Sequence, residues 1–535
     1  MTGIFRKRRA ALAVVALALL AVFMRFNRLT AWPLSLDESY SAFGAGKSFA
    51  FIWNVLPGYE THPPFYSALL RCWMLLAGNS TMSLRTFGAL VGMMTLPAIW
   101  FAAREVALFV RRDSIIVPLC ALALAAVLPP LVELARFVRP YYMTILVYAL
   151  GVWALVRIAR LHRQSGTLST APWAIYLASL PLMIWLHNLG ALFVAAMVLS
   201  LLVLIGPMTL MKQHWRAFVI GHGLALLFAL PALLILLDQA PTWTHSTWLA
   251  FVPSSLPTHL QLIYGWPGRV AALGGLALAA FGLRAMGPEA RRLGAALLVL
   301  GTLPVLLSMA ISATIAPVFL VRTLVSCSVP ILMLVALGAN EGLWQRTGMV
   351  LLFIFTAIRV IQVQYMGPDQ DWYRAARWLS AHVGANDLVY AYPNEGALPM
   401  RNALRDVHRS VPIRQIPSEI PARDPAGWYP TGSRGVQSLT RERLAQIAND
   451  PISRRTPTIW LFRLGKRPYD LNDEFEKALG KDRKRVEHFQ VKEIDIIGFA
   501  SSAEPAPPGT PNITAGIGSP VAVVEARPSR KANAV

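Results

Sequence analysis

The sequence predicts a mainly α-helical, polytopic membrane protein with about 11 transmembrane helices, followed by a small extracytoplasmic α/β domain. Three observations lead to this fold class. The 535 residues are 55% hydrophobic and only 15% charged, whereas soluble domains carry about 25% charged residues. Apolar segments of roughly 17 to 25 residues recur through the first two-thirds of the chain. After residue 364 the composition becomes polar.

The helical domain is predicted to cover residues 1–364, and its spans follow from hydropathy. Each candidate is long enough to cross the hydrocarbon core of a bilayer as a helix. The segment 63–77 is apolar but short and carries Arg71, so we expect a juxtamembrane helix there, within a first outer loop at 27–84. The predicted spans are 10–26, 85–104, 114–133, 140–158, 172–187, 190–207, 217–237, 270–286, 293–316, 322–339 and 348–364.

The distribution of basic residues orients these spans. With 63–77 outside the membrane, every second connection is basic, as expected of cytoplasmic loops. The N-terminus resembles an uncleaved signal anchor, because no small-x-small cleavage site follows its apolar segment. We therefore expect a multi-pass protein of the bacterial inner membrane, with a cytoplasmic N-terminus and a periplasmic C-terminal domain. The basic residues concerned are Arg6, Lys7, Arg8, Arg9, Arg104, Arg111, Arg112, Arg157, Arg160, Arg163, Lys212, Arg216, Arg284, Arg291, Arg292 and Arg346.

The net charge of +22 has the same explanation. Nucleic acid is not an expected partner, since no basic run is interleaved with aromatic residues on a soluble fold. Residues 365–500 are predicted to form the α/β domain, with β-rich runs such as "TPTIWLF" and helical spacing in 371–383. Residues 501–535 are rich in Pro, Ala and Ser, which predicts a disordered tail.

The first outer loop contains adjacent carboxylates, Asp37 and Glu38, which we predict to be catalytic. Ionisable residues close to spans are costly and usually indicate function. Two carboxylates so close cannot both ionise freely at low dielectric, and one of them suits general-base work on a hydroxyl. The alternative is structural, with Asp37 as the N-cap of a helix in "ESYSAFGAG".

The motif "THPPFY" places His62, with Glu60 just ahead of it, before the juxtamembrane helix, because paired prolines fit the first turn of a helix. Phosphate is favoured at such a positive N-terminal end. Glu60 and His62 could instead hold a divalent metal ion, with help from Asp37 or Glu38. A rigid turn with a surface histidine is the structural alternative. No other cofactor is predicted.

Further candidates for binding the donor or its phosphate lie at the outer ends of spans. Arg136 and Arg139, in "ELARFVRPYYM", offer guanidinium forks for phosphate oxygens, and Arg322 enters another span at the same level. Snorkelling is the alternative explanation for each arginine. Tyr141 follows in the same motif as Arg139. His187 ends a span in "WLHNLG", where a satisfied interfacial histidine is the alternative.

The order of these motifs resembles the GT-C membrane glycosyltransferases, and most closely the bacterial relatives of dolichyl-phosphate-mannose protein mannosyltransferases and of lipid A aminoarabinose transferases. Besides the acidic pair and "HPP", the likeness rests on "GNSTMSLRTFGALVG", "VRPYYMTILVYAL", "WLHNLGALFV", "FLVRTLVSCSVPILMLVALG" and "DQDWYRAARWLSAHVGANDLVYAYP", and it extends to about residue 395. There are two departures. Thr323 follows Arg322 where the family has tyrosine, and His62 replaces the lysine that aminoarabinose transferases carry.

The resemblance implies transfer of a sugar from a polyprenyl-phosphate donor to an acceptor hydroxyl at the periplasmic face, on a protein, lipid A or another glycan. It gives the role of general base to Asp37, with Glu38 as its neighbour. The donor, phosphate or metal contacts would then be made by Glu60, His62, Arg139 and Arg322. The alternatives are a polytopic transporter or flippase, and a polysaccharide ligase acting on lipid-linked sugars. The sequence has no Walker loop or GxGxxG motif, which agrees with a lipid-linked donor.

Overall fold

The computed structural model describes residues 2–502, except 113, 248, 422–423, 430–435, 465–469 and 471. The predicted disordered tail at 501–535 lies outside the described residues, apart from Ser501, which ends the last strand, and Ser502. The first part of the chain is built from helices. They are α1 (Thr2–Phe26), α2 (Leu36–Gly46), α3 (Phe49–Asn54), α4 (Phe65–Ala77), α5 (Thr81–Phe109), α6 (Ile116–Val127), α7 (Pro129–Ala135), α8 (Tyr141–Ser165), α9 (Thr170–Leu186), α10 (Gly190–Ile205), α11 (Pro207–Gln213), α12 (Trp215–Ser246), α13 (Leu256–Tyr264), α14 (Arg269–Ala285), α15 (Arg291–Thr314), α16 (Val321–Leu324), α17 (Ser328–Ala339) and α18 (Leu343–Tyr365).

The number of helices that can cross a membrane comes close to the 11 spans predicted from the sequence. In the described part of the chain, 7 helices are long and apolar enough, and three bent helix pairs raise the number to 10. These pairs are α6 with α7, α10 with α11, and Pro253–Tyr264 with α14, bent by 56°, 80° and 64°. The helix α9, with 17 residues, occupies the place of the remaining predicted span. The polytopic helical fold class is thereby confirmed.

Two of the bends have simple causes in the sequence. The helix α7 begins at Pro129, whose ring cannot continue the hydrogen-bond ladder of α6. The helix α11 begins at Pro207, immediately after Gly206, whose φ of 93° is accessible mainly to glycine. Hydropathy alone placed α6 and most of α7 in one predicted span, 114–133, whereas the predicted span 190–207 covers α10 and ends where α11 begins.

The predicted juxtamembrane helix at 63–77 coincides with α4, which has 13 residues. Pro64 is its N-cap, and Gly78, with φ of 79°, ends it. The helix packs against α2 on one side and α5 on another. The first outer loop is therefore a folded layer of short helices.

The helices α14 and α17 pack with their backbones in contact. Gly282 of α14 faces the carbonyl group of Leu334, and Gly338 of α17 faces the carbonyl group of Leu278. A Cβ atom at either glycine would overlap a backbone oxygen. Small residues permit this approach within a membrane, where dispersion contacts rather than the hydrophobic effect hold helices together.

The C-terminal part is a small α/β unit, as predicted. Its elements are α19 (Trp372–His382), β1 (Leu388–Ala391), α20 (Ala397–Asp406), β2 (Ile413–Gln415), β3 (Gly427–Trp428), β4 (Ser438–Leu439), α21 (Arg441–Ala448), α22 (Pro451–Arg455), β5 (Thr458–Leu464), α23 (Glu474–Gly480), β6 (Arg483–Val491) and β7 (Ile494–Ser501). A five-stranded sheet has the order β2-β1-β5-β7-β6, and β3 pairs with β4 separately. The strands β2, β1 and β5 are parallel, whereas β7 is antiparallel to both of its neighbours.

Helices cover both faces of this sheet. Trp372 of α19 and Met400 of α20 belong to the apolar cluster on one face. Leu444 of α21 and Phe475 of α23 belong to the cluster on the other face. Alternate residues of β1 enter the two clusters, as the two-residue period of a strand requires.

The α/β unit is joined to the membrane part through α2 and the start of α5. Leu36 of α2 is buried in the same apolar cluster as Trp372. Thr81 donates a hydrogen bond of 2.5 Å to Asp406, which also accepts one of 3.1 Å from the hydroxyl of Tyr373. The position of α2 therefore depends on both parts of the chain.

We expect Gly282→Leu to lower the melting temperature of the purified protein, because the added side chain would force α14 away from α17. Overpacking of this kind costs about 1–3 kcal/mol. Gly274→Leu on the same helix is the matched control, since nothing lies within 4 Å of where its Cβ would be. Equal melting temperatures for the two variants in detergent would contradict the close packing.

Candidate active site

The start of α2 orients the two adjacent carboxylates in different directions. Ser35 is the N-cap, and its hydroxyl accepts a hydrogen bond from the amide of Glu38. The carboxylate of Glu38 in turn accepts one of 2.9 Å from the amide of Ser35, which completes a capping box. Asp37 is therefore not the N-cap, and the structural alternative given for it from the sequence is wrong. Successive helical residues point about 100° apart, so Asp37 and Glu38 face different surroundings.

Glu38 is buried in a network that holds the outer loop together. Nε and Nη2 of Arg85 each lie 2.9 Å from one of its carboxylate oxygens, in a bidentate pair. The amide of Val138 donates a further bond of 3.2 Å to Glu38. Arg85 also donates to three backbone carbonyls, those of Leu29, Trp32 and Pro33.

Glu38 was predicted to be catalytic, but the structure places it outside the cavity described next. Because its oxygens are already engaged by Arg85 and by backbone amides, we propose a structural role for it. Arg136, predicted to bind phosphate, also lies outside the cavity. Its Nη2 donates to the carbonyl groups of Asn27 and Arg28, at 2.8 and 3.1 Å, and so fixes the end of α1.

The remaining predicted residues meet in one cavity of about 440 Å³. It lies between the segment 27–84, the ends of several spans on one side of the helical part, and the α/β unit. Apolar side chains such as Leu192, Ile311 and Val318 form much of its wall. The predicted site residues that line it are Asp37, Glu60, His62, Arg139, Tyr141, His187 and Arg322.

Asp37 and Arg322 form an ion pair within this cavity. Oδ2 of Asp37 lies 2.8 Å from Nη2 of Arg322, and the two side chains are 24% and 29% exposed, so a ligand can reach both. The guanidinium of Arg322 also lies over the ring of Tyr141, 5.5 Å from its centre. Nε of Arg322 has no hydrogen-bond partner among the described residues. Arg322 thus keeps donor capacity for an anionic ligand.

A second ion pair joins Glu60 and Arg139. Nη1 of Arg139 lies 3.3 Å from Oε2 of Glu60 and donates a hydrogen bond of 3.2 Å to Ser41. Burial raises the pKa of Glu60, but Arg139 and His62 outweigh it and hold that pKa well below its ordinary value. Burial lowers the pKa of Arg139, but the negative charges of Glu60 and Asp37 raise it by more. The pKa of Arg139 therefore lies above its ordinary value. Both groups are charged at neutral pH.

Burial favours the neutral form of the two histidines of the cavity. Burial lowers the pKa of His62, and the charge of Arg139 lowers it further. Burial also lowers the pKa of His187 well below its ordinary value. Nδ1 of His62 lies 2.9 Å from Glu60, while its Nε2 has no hydrogen-bond partner among the described residues. A neutral His62 that donates from Nδ1 offers Nε2 as an acceptor for a ligand hydroxyl.

The divalent metal considered at Glu60 and His62 is not supported by the donor set. Within the described ranges, no group of three or more His, Cys, Asp or Glu side chains is arranged to hold a metal ion. Arg139 already supplies the positive charge beside Glu60. We therefore derive no metal-dependent step.

Sequence reasoning missed several residues of the cavity wall. Glu395, from the turn before α20, lines the cavity and accepts a hydrogen bond of 3.5 Å from the hydroxyl of Tyr40. Gln239 of α12 donates to the carbonyl groups of Pro57 and Glu60, at 2.6 and 2.8 Å, and so fixes the turn before α4. Tyr40 could have been identified from the sequence, because a helix places it on the same face as Asp37. For Glu395 the sequence contains no such signal.

Comparison with solved structures identifies the fold. ArnT from Cupriavidus metallidurans in its apo state matches with a TM-score of 0.61 at 11% identity, over 93% of this chain and 98% of that one. The same protein bound to undecaprenyl phosphate gives a TM-score of 0.60 at 13% identity, over 93% and 99%. The chain has the GT-C fold. The Archaeoglobus fulgidus oligosaccharyltransferase in its apo form matches with a TM-score of 0.50 at 12% identity, over 93% of this chain and 75% of that one.

The GT-C fold implied by the sequence motifs is thus confirmed. No protein-family model and no curated protein matches the chain. At identities of 11–13% the structural likeness establishes the fold and not the activity.

We expect His187 to make the stability of the protein depend on pH. Because burial lowers its pKa in the folded state, the unfolded state binds more protons, and stability is lost as the pH falls below about 6.5. His187→Asn cannot titrate, and its carbonyl can still accept a hydrogen bond from the amide of Leu189, as Nδ1 of His187 does at 3.0 Å.

The melting temperature of the wild type, measured between about pH 7.5 and pH 5.5, should therefore fall more steeply than that of His187→Asn. His408→Asn, at an exposed position after α20, is the matched control for the substitution itself, and its slope is compared with that of the wild type. If His187→Asn keeps the wild-type slope, the neutral, buried state assigned to His187 is wrong.

Proposed function

We propose that this protein is a membrane glycosyltransferase that moves a sugar from a polyprenyl-phosphate donor to an acceptor hydroxyl at the periplasmic face of the bacterial inner membrane. The observation that carries the proposal is the cavity in which Asp37 lies 2.8 Å from Arg322, close to Arg139. A carboxylate that can accept a proton and two cations that can bind a phosphate face the same space.

The proposed reaction uses these groups directly. The acceptor oxygen forms a bond to C1 of the sugar, and the bond from C1 to the phosphate oxygen breaks, with its electron pair leaving on the phosphate. Asp37 takes the proton of the acceptor hydroxyl as general base. Arg322 and Arg139 stabilise the charge that develops on the departing phosphate.

The ion pair between Asp37 and Arg322 would make donor binding precede activation of the acceptor hydroxyl. While the pair is closed, Asp37 is held by a cation and is a weaker base. A donor phosphate competes for the guanidinium of Arg322 and so loosens its hold on Asp37. The base would then become fully effective only when the donor is in place.

The nature of the donor is supported by the cavity wall and by one structural neighbour. Apolar residues such as Ile311, Pro317 and Val318 surround the charged groups, which suits a ligand with a phosphate head and a polyprenyl chain. ArnT, which shares the fold, has been solved bound to undecaprenyl phosphate. The periplasmic orientation is supported by the basic residues on alternate connections of the sequence.

We expect Asp37→Asn to reduce sugar transfer by about 10²–10⁴-fold, the usual contribution of general-base catalysis. Transfer is measured as release of undecaprenyl phosphate from a panel of undecaprenyl-phosphate-linked monosaccharides, with the reconstituted protein and an envelope extract as the source of acceptor. Asp369→Asn is the matched control, since Asp369 is exposed after α18.

Binding of undecaprenyl phosphate itself, measured by native mass spectrometry, separates the role of Arg322 in binding phosphate from the role of Asp37 as general base. Arg322→Ala should weaken it by about tenfold or more, because a charge-assisted contact is lost. Asp37→Asn should leave it intact or stronger, since a negative charge beside the phosphate is removed. Full transfer activity in Asp37→Asn would contradict the proposal, and transfer only from an added undecaprenyl-diphosphate-linked sugar, with release of undecaprenyl diphosphate, would favour the polysaccharide ligase.

A further inference from the structure

A second cavity, of about 270 Å³, lies on the face of α2 opposite Asp37. It is enclosed by α2, by the C-terminal end of α4 with the turn after it, and by α20 of the α/β unit. It shares no lining residue with the cavity of the proposed active site. Its polar lining residues include Ser39, Lys47, Asn79, Arg401, Arg405 and Glu419.

The lining of this cavity carries more positive than negative charge. Lys47 and Arg401 share one carboxylate, that of Glu419, at 3.9 and 3.5 Å. Arg405 lies 3.5 Å from Asp406, which already accepts hydrogen bonds from two hydroxyl groups. These cations are between 34% and 43% exposed, so their remaining donors are accessible to a ligand.

A buried hydroxyl among these cations indicates that the site is built for a ligand. Ser39 is fully buried, and its Oγ has no hydrogen-bond partner among the described residues. A buried hydroxyl left unpaired costs about 1–3 kcal/mol. An anion in the cavity would both satisfy such a donor and neutralise the excess positive charge.

The position of the cavity relative to the bilayer indicates where the anion comes from. Asn79 lies in the turn between α4 and the membrane span α5, so the rim of the cavity at Asn79 lies at the membrane boundary. Leu75 and Leu76, at the end of α4, are 62% and 85% exposed, and Met82 at the start of α5 is 50% exposed. Exposed apolar side chains therefore precede and follow Asn79 in the chain.

We propose that this cavity binds the phosphate group of a membrane lipid, with the acyl chains lying along Leu75, Leu76 and Met82. Because the ligand would touch α2, α4 and α20 together, it would hold the α/β unit against the helix that carries Asp37. This binding does not depend on the proposed transfer reaction.

The test uses the full-length protein and native mass spectrometry, with phosphatidylglycerol as the probe. Arg401→Ala combined with Arg405→Ala should weaken its binding by about tenfold or more, because two charge-assisted contacts are lost. The matched control is Arg374→Ala with Arg377→Ala, which removes equal charge from exposed positions of α19 outside the cavity. This control should bind phosphatidylglycerol as the wild type does.

Ser39→Ala tests the site without changing charge. If the lipid does not occupy this cavity, Ser39→Ala would leave phosphatidylglycerol binding unchanged. We expect instead that Ser39→Ala weakens phosphatidylglycerol binding several-fold. Competition by inorganic phosphate would support recognition of the phosphate group itself.

Two results would overturn the proposal. One is equal affinity for phosphatidylglycerol in the wild type and Ser39→Ala. The other is an equal loss of affinity in the Arg401/Arg405 and Arg374/Arg377 double variants. Because Asp37→Asn should leave this binding unchanged, failure of the lipid site is distinguishable from failure of the proposed transferase.

Discussion

The buried ion pair between Glu38 and Arg85 is the constraint on which the part of the protein around both cavities depends. Burying two opposite charges is costly unless their hydrogen-bonding groups are also satisfied. Here backbone amides satisfy the carboxylate, and backbone carbonyls of the outer loop satisfy the guanidinium. The pair therefore fixes α2 against the membrane span α5. Asp37, one residue away on the same helix, is held at the wall of the cavity as a consequence.

The helix α2 also separates two sites of different character. One face presents Asp37 and Tyr40 to a largely apolar cavity with balanced ion pairs. The other presents Ser39 to a smaller cavity with an excess of cations. The α/β unit closes both, through Glu395 on one side and Arg401 on the other. A C-terminal unit with no recognisable acceptor motif therefore completes the surroundings of the proposed base.

Much of the fold could be predicted because hydropathy and strand composition are local signals. Hydropathy alone did not show that the predicted span 114–133 is broken at Pro129, nor that a further helix, α11, follows the predicted span 190–207. The roles of Glu38 and Arg136 depend on which way a side chain faces, and that is decided by tertiary contacts. The capping box in "SLDE" was a local clue to the role of Glu38. Glu395 reaches the cavity only through docking of the α/β unit, which no local pattern encodes.

The most direct measurement is a double-mutant cycle on Glu38 and Arg85, read out as the free energy of unfolding in detergent. Removing one partner of a buried pair leaves the other charge uncompensated, which costs about 3–5 kcal/mol. We expect Glu38→Ala and Arg85→Ala each to destabilise the protein by about this amount, and the double variant to be far less destabilised than their sum. Small, additive effects of the two substitutions would show that the pair does not anchor α2, and the placement of Asp37 would lose its physical basis.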